Sequence, residues 1–167
     1  MTTAPLDASR QWWVLAGSCA SLFLLMLDST ALTLALPDIQ RDLDASSEAL
    51  QWVINGYLLA MCVLVVTLSR LGDQFGRRTV FLIGNAIFAV GAVVCATAPS
   101  PAVLIAGRIL QGAGGAAMLG LSLAIVSNAF SDRDRPRALG IWTAVSAIAL
   151  AVGPLVGVSD AITGAPT

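Results

Sequence analysis

The stretch SRLGDQFGRR, residues 69–78, holds three arginines, one aspartate and two glycines between two long apolar runs. Each run is long enough to cross a bilayer, which takes about 20 apolar residues in a helix. Glycine permits a sharp turn, and arginines concentrate in the cytoplasmic loops of membrane proteins. The stretch therefore predicts a short hinge between two membrane-spanning helices.

The composition places the chain among membrane proteins. It is 57% hydrophobic and 11% charged, with a mean hydropathy of +0.84, whereas soluble domains carry about 25% charged residues. The net charge of -1 gives no reason to expect a nucleic-acid partner, and the lack of histidine excludes a histidine metal site. Cys19, Cys62 and Cys95 lie in separate apolar runs, so we interpret them as small packing residues and not as a disulfide framework.

Five apolar segments are long enough to span a membrane. Backbone polar groups in lipid must be satisfied within the segment, so we expect these segments to be helices. The sequence therefore predicts an all-α, polytopic helical membrane protein, and we expect the first span to end at Pro37. The predicted order is a cytoplasmic tail at 1–11, spans at about 12–36, 52–68, 80–98, 103–130 and 138–158, and a C-terminal tail at 159–167.

The placement of the arginines indicates the orientation. If the N-terminus is cytoplasmic, seven arginines lie inside, Arg41 alone lies outside, and Arg108 falls within a span. Cytoplasmic loops carry an excess of basic residues. We therefore expect a multi-pass protein of the cell membrane with its N-terminus in the cytoplasm.

Two charged residues fall inside predicted spans, Asp28 in the first and Arg108 in the fourth. A charge in mid-membrane costs about 2.5–3.5 kcal/mol on insertion scales, so it is rarely kept without a use or a partner. The rise of the helix places Asp28 about 6 Å and Arg108 about 7–8 Å from the same edge of a core of about 30 Å. The similar depth favours a titratable carboxylate facing an arginine across a polar cavity. Proton uptake by Asp28 would then compete with binding of a cationic substrate or with the Arg108 pair. The alternatives are a static ion pair that locks two helices, or an Asp28 close enough to the interface to stay hydrated.

The hinge itself contains a candidate latch, formed by Gly72, Asp73, Gly76, Arg77 and Arg78. We expect Asp73 to cap the start of the third helix and to pair with an arginine. Such a latch would break when the helices move. The alternative is that the arginines only mark the cytoplasmic side, but that does not explain the glycine–acid–glycine spacing.

Small residues in the fourth and fifth spans form a second pattern. They include Gly112 in the fourth span and Gly153, Pro154 and Gly157 in the fifth. Small residues one helical turn apart let helices approach closely, and a proline inside a span adds a kink. These residues are therefore candidates for helix packing.

Four stretches in order carry a resemblance to a known family. They are LDSTALTLALP at 27–37, the hinge at 69–78, LIAGRILQG at 104–112 and GPLVG at 153–157. Together they resemble the motifs of the major facilitator superfamily, and more closely those of its fourteen-helix drug:proton antiporter branch. The third stretch is similar to the fourth-helix motif whose arginine, here Arg108, is implicated in proton coupling. The fourth stretch is similar to the end of the fifth-helix antiporter motif.

The resemblance implies a secondary active transporter that exports small drug-like, amphipathic or cationic molecules in exchange for protons. It implies that Asp28 and Arg108 couple proton and substrate, and that the proton gradient supplies the energy without a cofactor. The partners would be the lipid bilayer, the small-molecule substrate and protons. We expect no enzyme, because the chain holds no Ser/His or His/Glu cluster and nothing that resembles a cofactor loop.

Two departures from the family pattern keep alternatives open. Val158 stands where a glycine closes the fifth-helix motif, which leaves uptake of a metabolite as an alternative. The family pattern continues with a sixth helix and a second half, so we expect a chain truncated after the fifth helix and inactive alone. A second alternative is a small five-helix membrane interaction protein, whose glycine faces bind another copy or a partner that supplies the missing helices.

Overall fold

The computed structural model describes the backbone of residues 8–163 and the side chains of residues 9–152. Within that range the chain is all-α, without a strand. This confirms the predicted fold class. The five helices are α1 (Ala8–Asp42), α2 (Ser47–Phe75), α3 (Arg77–Ala96), α4 (Pro101–Ala129) and α5 (Arg135–Thr163).

Four of the helices, α1 to α4, are long and apolar enough to cross a membrane. They overlap the first four predicted spans, with α3 ending two residues and α4 one residue before the predicted end, and α5 contains the fifth. The helices extend beyond most of the predicted boundaries, because polar residues at the ends of an apolar run can continue its hydrogen-bond ladder. The helical ends of α1 and α5 therefore include residues 8–11 and 159–163 of the predicted tails, while residues 1–7 and 164–167 lie outside the described part.

The helix α1 does not end at Pro37 but continues through it to Asp42, and the predicted end of the first membrane span at Pro37 stays a prediction. Proline lacks the N–H that would bond the carbonyl four residues earlier, which weakens a helix without always ending it. The turn that follows Pro37 is held by its own contacts. Leu43 N donates to Ile39 O at 3.1 Å, and Arg41 lies 3.5 Å from Asp38.

The chain divides into two compact units. The first unit consists of residues 1–36 and 126–167, and the second of residues 37–125. In the first unit, Leu15 and Cys19 of α1 belong to an apolar cluster with Val126, Phe130 and Ala138. The rings of Trp12 and Phe130 also lie nearly perpendicular to each other, with centroids 5.6 Å apart.

The second unit is held together by close approach of helices at glycines. A Cβ added at Gly84 of α3 would lie 2.5 Å from Cβ of Ala117 on α4, and one added at Gly114 of α4 would lie 2.5 Å from the Phe88 nitrogen on α3. Real side chains do not approach this closely. The two helices therefore pack at a distance that only small residues allow.

A single residue, Gly76, separates α2 from α3. Its φ of +98° lies in the left-handed region, which residues with a Cβ rarely adopt. Gly76 is also the N-cap of α3, and no side chain caps that helix. The expected capping by Asp73 is therefore wrong, because α2 continues to Phe75 and places Asp73 in its last turn.

Replacement of Gly76 by alanine is expected to destabilise the chain by about 1–3 kcal/mol, the usual cost of a sparsely populated backbone conformation. Thermal unfolding of the purified chain in detergent measures the effect as a lower midpoint. Gly140→Ala is the matched control, since a Cβ there meets nothing within 4 Å and alanine favours a helix. An equal or higher midpoint for Gly76→Ala would contradict the strained-hinge interpretation.

Candidate functional site

Arg108 is buried within α4, with 3% of its surface exposed. Its Cζ lies 4.3 Å from the centre of the Tyr57 ring, over the face of that ring. Its Nη1 donates a hydrogen bond of 2.8 Å to Oε1 of Gln111. A cation over an aromatic face and a charge-assisted hydrogen bond both stabilise a charge removed from water.

Three helices contribute to this site. Gln111 follows Arg108 by three residues on α4, so both side chains share one face of the helix. Tyr57 comes from α2, which approaches α4 so closely that a Cβ at Gly112 would collide with the Tyr57 carbonyl oxygen. Cys95 comes from α3, and its Sγ donates to Oε1 of Gln111 at 3.3 Å. Tyr57, Cys95, Arg108 and Gln111 are called the arginine site below.

Of the four residues of the arginine site, only Arg108 was predicted from the sequence to have a functional role. Gln111 lies within the stretch 104–112, and an amide three residues after an arginine inside a span is a usable signal. Tyr57 is the only tyrosine of the chain, and its position in an apolar run did not indicate a role. Cys95 was interpreted as a packing residue, but its thiol also donates a hydrogen bond to Gln111.

Asp28 lies in α1 and is half-buried. It belongs to the first unit, whereas Arg108 belongs to the second, and the predicted opposition of their side chains stays a prediction. The hydroxyls that follow Asp28 donate to carbonyls of their own helix. Ser29 Oγ lies 3.1 Å from Leu25 O, and Thr30 Oγ1 lies 2.9 Å from Leu27 O.

The hinge forms a second polar arrangement. Arg77 Nε donates to Oδ1 of Asp73 at 2.8 Å, so the expected pairing of Asp73 with an arginine is present. Arg77 Nη1 also donates to the Ala124 carbonyl on α4 at 3.4 Å, a contact that the sequence did not indicate. Beside them, a Cβ on Gly72 would collide with the Leu121 side chain. The hinge is thus attached to α4.

Arg78 is the last residue of the hinge, and its side chain is exposed. Gly153, Pro154 and Gly157 fall within α5, but their surroundings lie outside the described side chains. Among the side chains that are described, no three His, Cys, Asp or Glu residues gather closely enough to hold a metal ion.

Comparison with known proteins gives consistent matches over most of the chain. The family model of the Major Facilitator Superfamily matches residues 18–159. Multidrug resistance protein Stp of Mycobacterium tuberculosis is 44% identical over 137 residues, which cover 81% of this chain and 26% of that protein. The tetracenomycin C resistance and export protein of Streptomyces glaucescens is 39% identical over 148 residues, 89% of this chain and 28% of that protein. The multidrug efflux pump LfrA of Mycolicibacterium smegmatis is 37% identical over 150 residues, 89% of this chain and 30% of that protein.

The chain therefore spans 26–30% of the length of these relatives. The relatives are resistance, export and efflux proteins, and their match confirms the prediction that the chain is not an enzyme. With the helices described above, they also identify the chain as a multi-pass membrane protein, whose surroundings are the lipid bilayer. The chain belongs to the Major Facilitator Superfamily.

Proposed function

We propose that these helices belong to a proton-coupled exporter of small drug-like, amphipathic or cationic molecules. The observation that carries the proposal is the arginine site, where a permanent charge is buried within a membrane-spanning helix and held by side chains of α2 and α4. Such a charge is costly in lipid and marks a substrate or ion pathway more often than it serves packing. The names of the relatives, which include a multidrug efflux pump, support export.

In the proposed mechanism Asp28 exchanges the proton. Its ionised carboxylate attracts a cationic substrate, and protonation removes that attraction. Proton uptake and substrate release are linked in this way, and the resemblance to the fourth-helix motif gives Arg108 a part in the coupling. The proton gradient then drives export, and no cofactor is required.

The hinge acts in this proposal as a conformational latch. Arg77 links the last turn of α2 through Asp73 to the α4 backbone at Ala124. In transporters of this type, two repeats move against each other around a site near the middle of the membrane. Loss of the Arg77 contacts would accompany that movement.

The length of the relatives supports a transport unit with more helices than these five. Self-association through the glycines of α4 is less well supported. Gly107 faces Cys95 of α3, Gly112 faces Tyr57 of α2, and Gly114 faces Phe88 of α3. These glycines already serve contacts inside the chain, which leaves them little surface for binding a second copy. Because the relatives are much longer, we expect the five helices alone to be inactive.

Transport can be tested by grafting residues 18–159 in place of the matching segment of LfrA. We expect cells that express the chimera to export a fluorescent cationic dye, with loss of export when a protonophore collapses the proton gradient. Asp28→Asn in the chimera should reduce export at least about tenfold, the effect of about 1.4 kcal/mol on a rate. Asp42→Asn, at the exposed end of α1, is the matched control and should export normally.

The same assay on the chain alone is expected to show no export above background. If the chimera is inserted in the membrane and still exports the dye after Asp28→Asn, the proposed proton exchange is overturned. Export by the chain alone would overturn the expectation that further helices are needed.

We propose that the N-terminus is cytoplasmic, because this orientation places seven of the nine arginines on the cytoplasmic side, where basic residues concentrate. In a chain whose three cysteines are replaced by alanine, Asp44→Cys should react with a membrane-impermeant maleimide in intact cells, because it lies in the loop after α1. Ser9→Cys should react only after the cells are opened. The reverse pattern would contradict the orientation.

A further inference from the structure

We propose that Tyr57, Gln111 and Cys95 are positioning residues that hold the Arg108 guanidinium in one place and one orientation. The inference rests on the proposed function, because it specifies how the charge that acts in transport is presented. It adds side chains of α2, α3 and α4 that act through Arg108 and that the resemblance did not indicate.

The first constraint comes from the Tyr57 ring. The guanidinium carbon lies 4.3 Å from the ring centre, a distance at which a planar guanidinium stacks favourably on an aromatic face. Tyr57 is itself 3% exposed. The ring therefore limits movement of the guanidinium perpendicular to the ring face.

The second constraint comes from the Gln111 amide. Its oxygen accepts the hydrogen bond from Arg108 Nη1 at 2.8 Å, and Gln111 is 1% exposed. Stacking alone leaves a guanidinium free to rotate in its own plane, but a hydrogen bond to one nitrogen removes that freedom. With both contacts buried, water cannot readily replace the amide oxygen.

The third constraint acts on the amide and not on the arginine. Cys95 Sγ donates to the same Gln111 oxygen at 3.3 Å. If the amide flipped, its NH₂ group would face the guanidinium, donor against donor, and the hydrogen bond from Arg108 would be lost. The hydrogen bond from the Cys95 thiol to the same oxygen adds to the preference for the orientation that accepts from Arg108.

Close approach of α3 is what allows the thiol to reach the amide. A Cβ at Gly91 would lie 2.8 Å from the backbone nitrogen of Gln111, and one at Gly107 would lie 2.7 Å from Cys95 Sγ. A larger residue at either position would separate α3 from α4. The consequence for transport is that the guanidinium stays fixed, while the proton-exchanging group changes its charge.

The single tyrosine of the chain makes the positioning measurable. The full chain is produced with 3-fluorotyrosine and placed in lipid nanodiscs, where its ¹⁹F resonance reports the environment of the Tyr57 ring. Arg108→Gln removes the cation and defines the displaced resonance. We expect Gln111→Leu to move the resonance more than halfway to that position, since the guanidinium leaves the ring when its hydrogen bond is lost.

Two further variants separate positioning from packing. Gln111→Glu keeps the acceptor oxygen and should leave the resonance near its wild-type position, whereas Gln51→Leu, at an exposed site on α2, is the control and should not move it. If Gln111→Leu does not fold, Cys95→Ala is used instead and should move the resonance in the same direction by a smaller amount. A folded Gln111→Leu chain with an unmoved resonance, or an equal displacement in the Gln51→Leu control, would overturn the inference.

The readout is independent of transport. In the LfrA chimera, Gln111→Leu should reduce proton-dependent export at least tenfold and Gln111→Glu should retain more export than Gln111→Leu. If the ¹⁹F resonance moves as expected while the unsubstituted chimera exports nothing, the positioning stands and the proposed function fails. If the chimera exports and Gln111→Leu leaves both export and resonance unchanged, the proposed function stands and the positioning fails.

Discussion

The burial of a single permanent charge organises the second unit. A guanidinium cannot be neutralised by losing its proton in a protein, so Arg108 can be buried only where other groups replace water. The Tyr57 ring and the Gln111 amide supply those groups, and Cys95 holds the amide. These are side chains of limited reach, and they meet only because glycines at 91, 107 and 112 bring α2 and α3 close to α4. Burial of Arg108 therefore requires both the glycines and the polar residues.

The hinge follows a related rule at the other end of α2. Arg77 is partly exposed and interacts with both an acid of its own segment and a carbonyl of α4. Exposed ion pairs contribute little to stability, so these contacts can form and break with a small change in free energy. The geometry of Gly76 is the contrasting rigid element, because its backbone conformation suits glycine alone. The Arg77 contacts can therefore break and allow α2 and α3 to move relative to α4, while the turn at Gly76 keeps α2 and α3 joined.

Much of the fold followed from the length and composition of the apolar runs, because a bilayer accepts only segments that satisfy their own backbone. Helix ends were predicted less well. Pro37 did not end α1, and α2 continued beyond Leu68 to Phe75, which moved Asp73 from the expected cap of α3 into a helical turn. Arg108 was found because an isolated charge in an apolar run is costly. Tyr57 and Cys95 were missed because each is ordinary in its own helix and gains its role only when three helices meet.

The division of the chain into two units also bears on the order in which they can assemble. The second unit is continuous in sequence, from 37 to 125, whereas the first joins residues 1–36 to residues 126–167. Contacts between segments close in sequence form with a smaller loss of entropy than contacts that close a long loop. During synthesis α2, α3 and most of α4 can therefore pair before α5 has left the ribosome. The surfaces of α1 that pack in the first unit must wait until residues 126–138, the end of α4 and the start of α5, have been made, and in that interval they are open to other helices of the membrane.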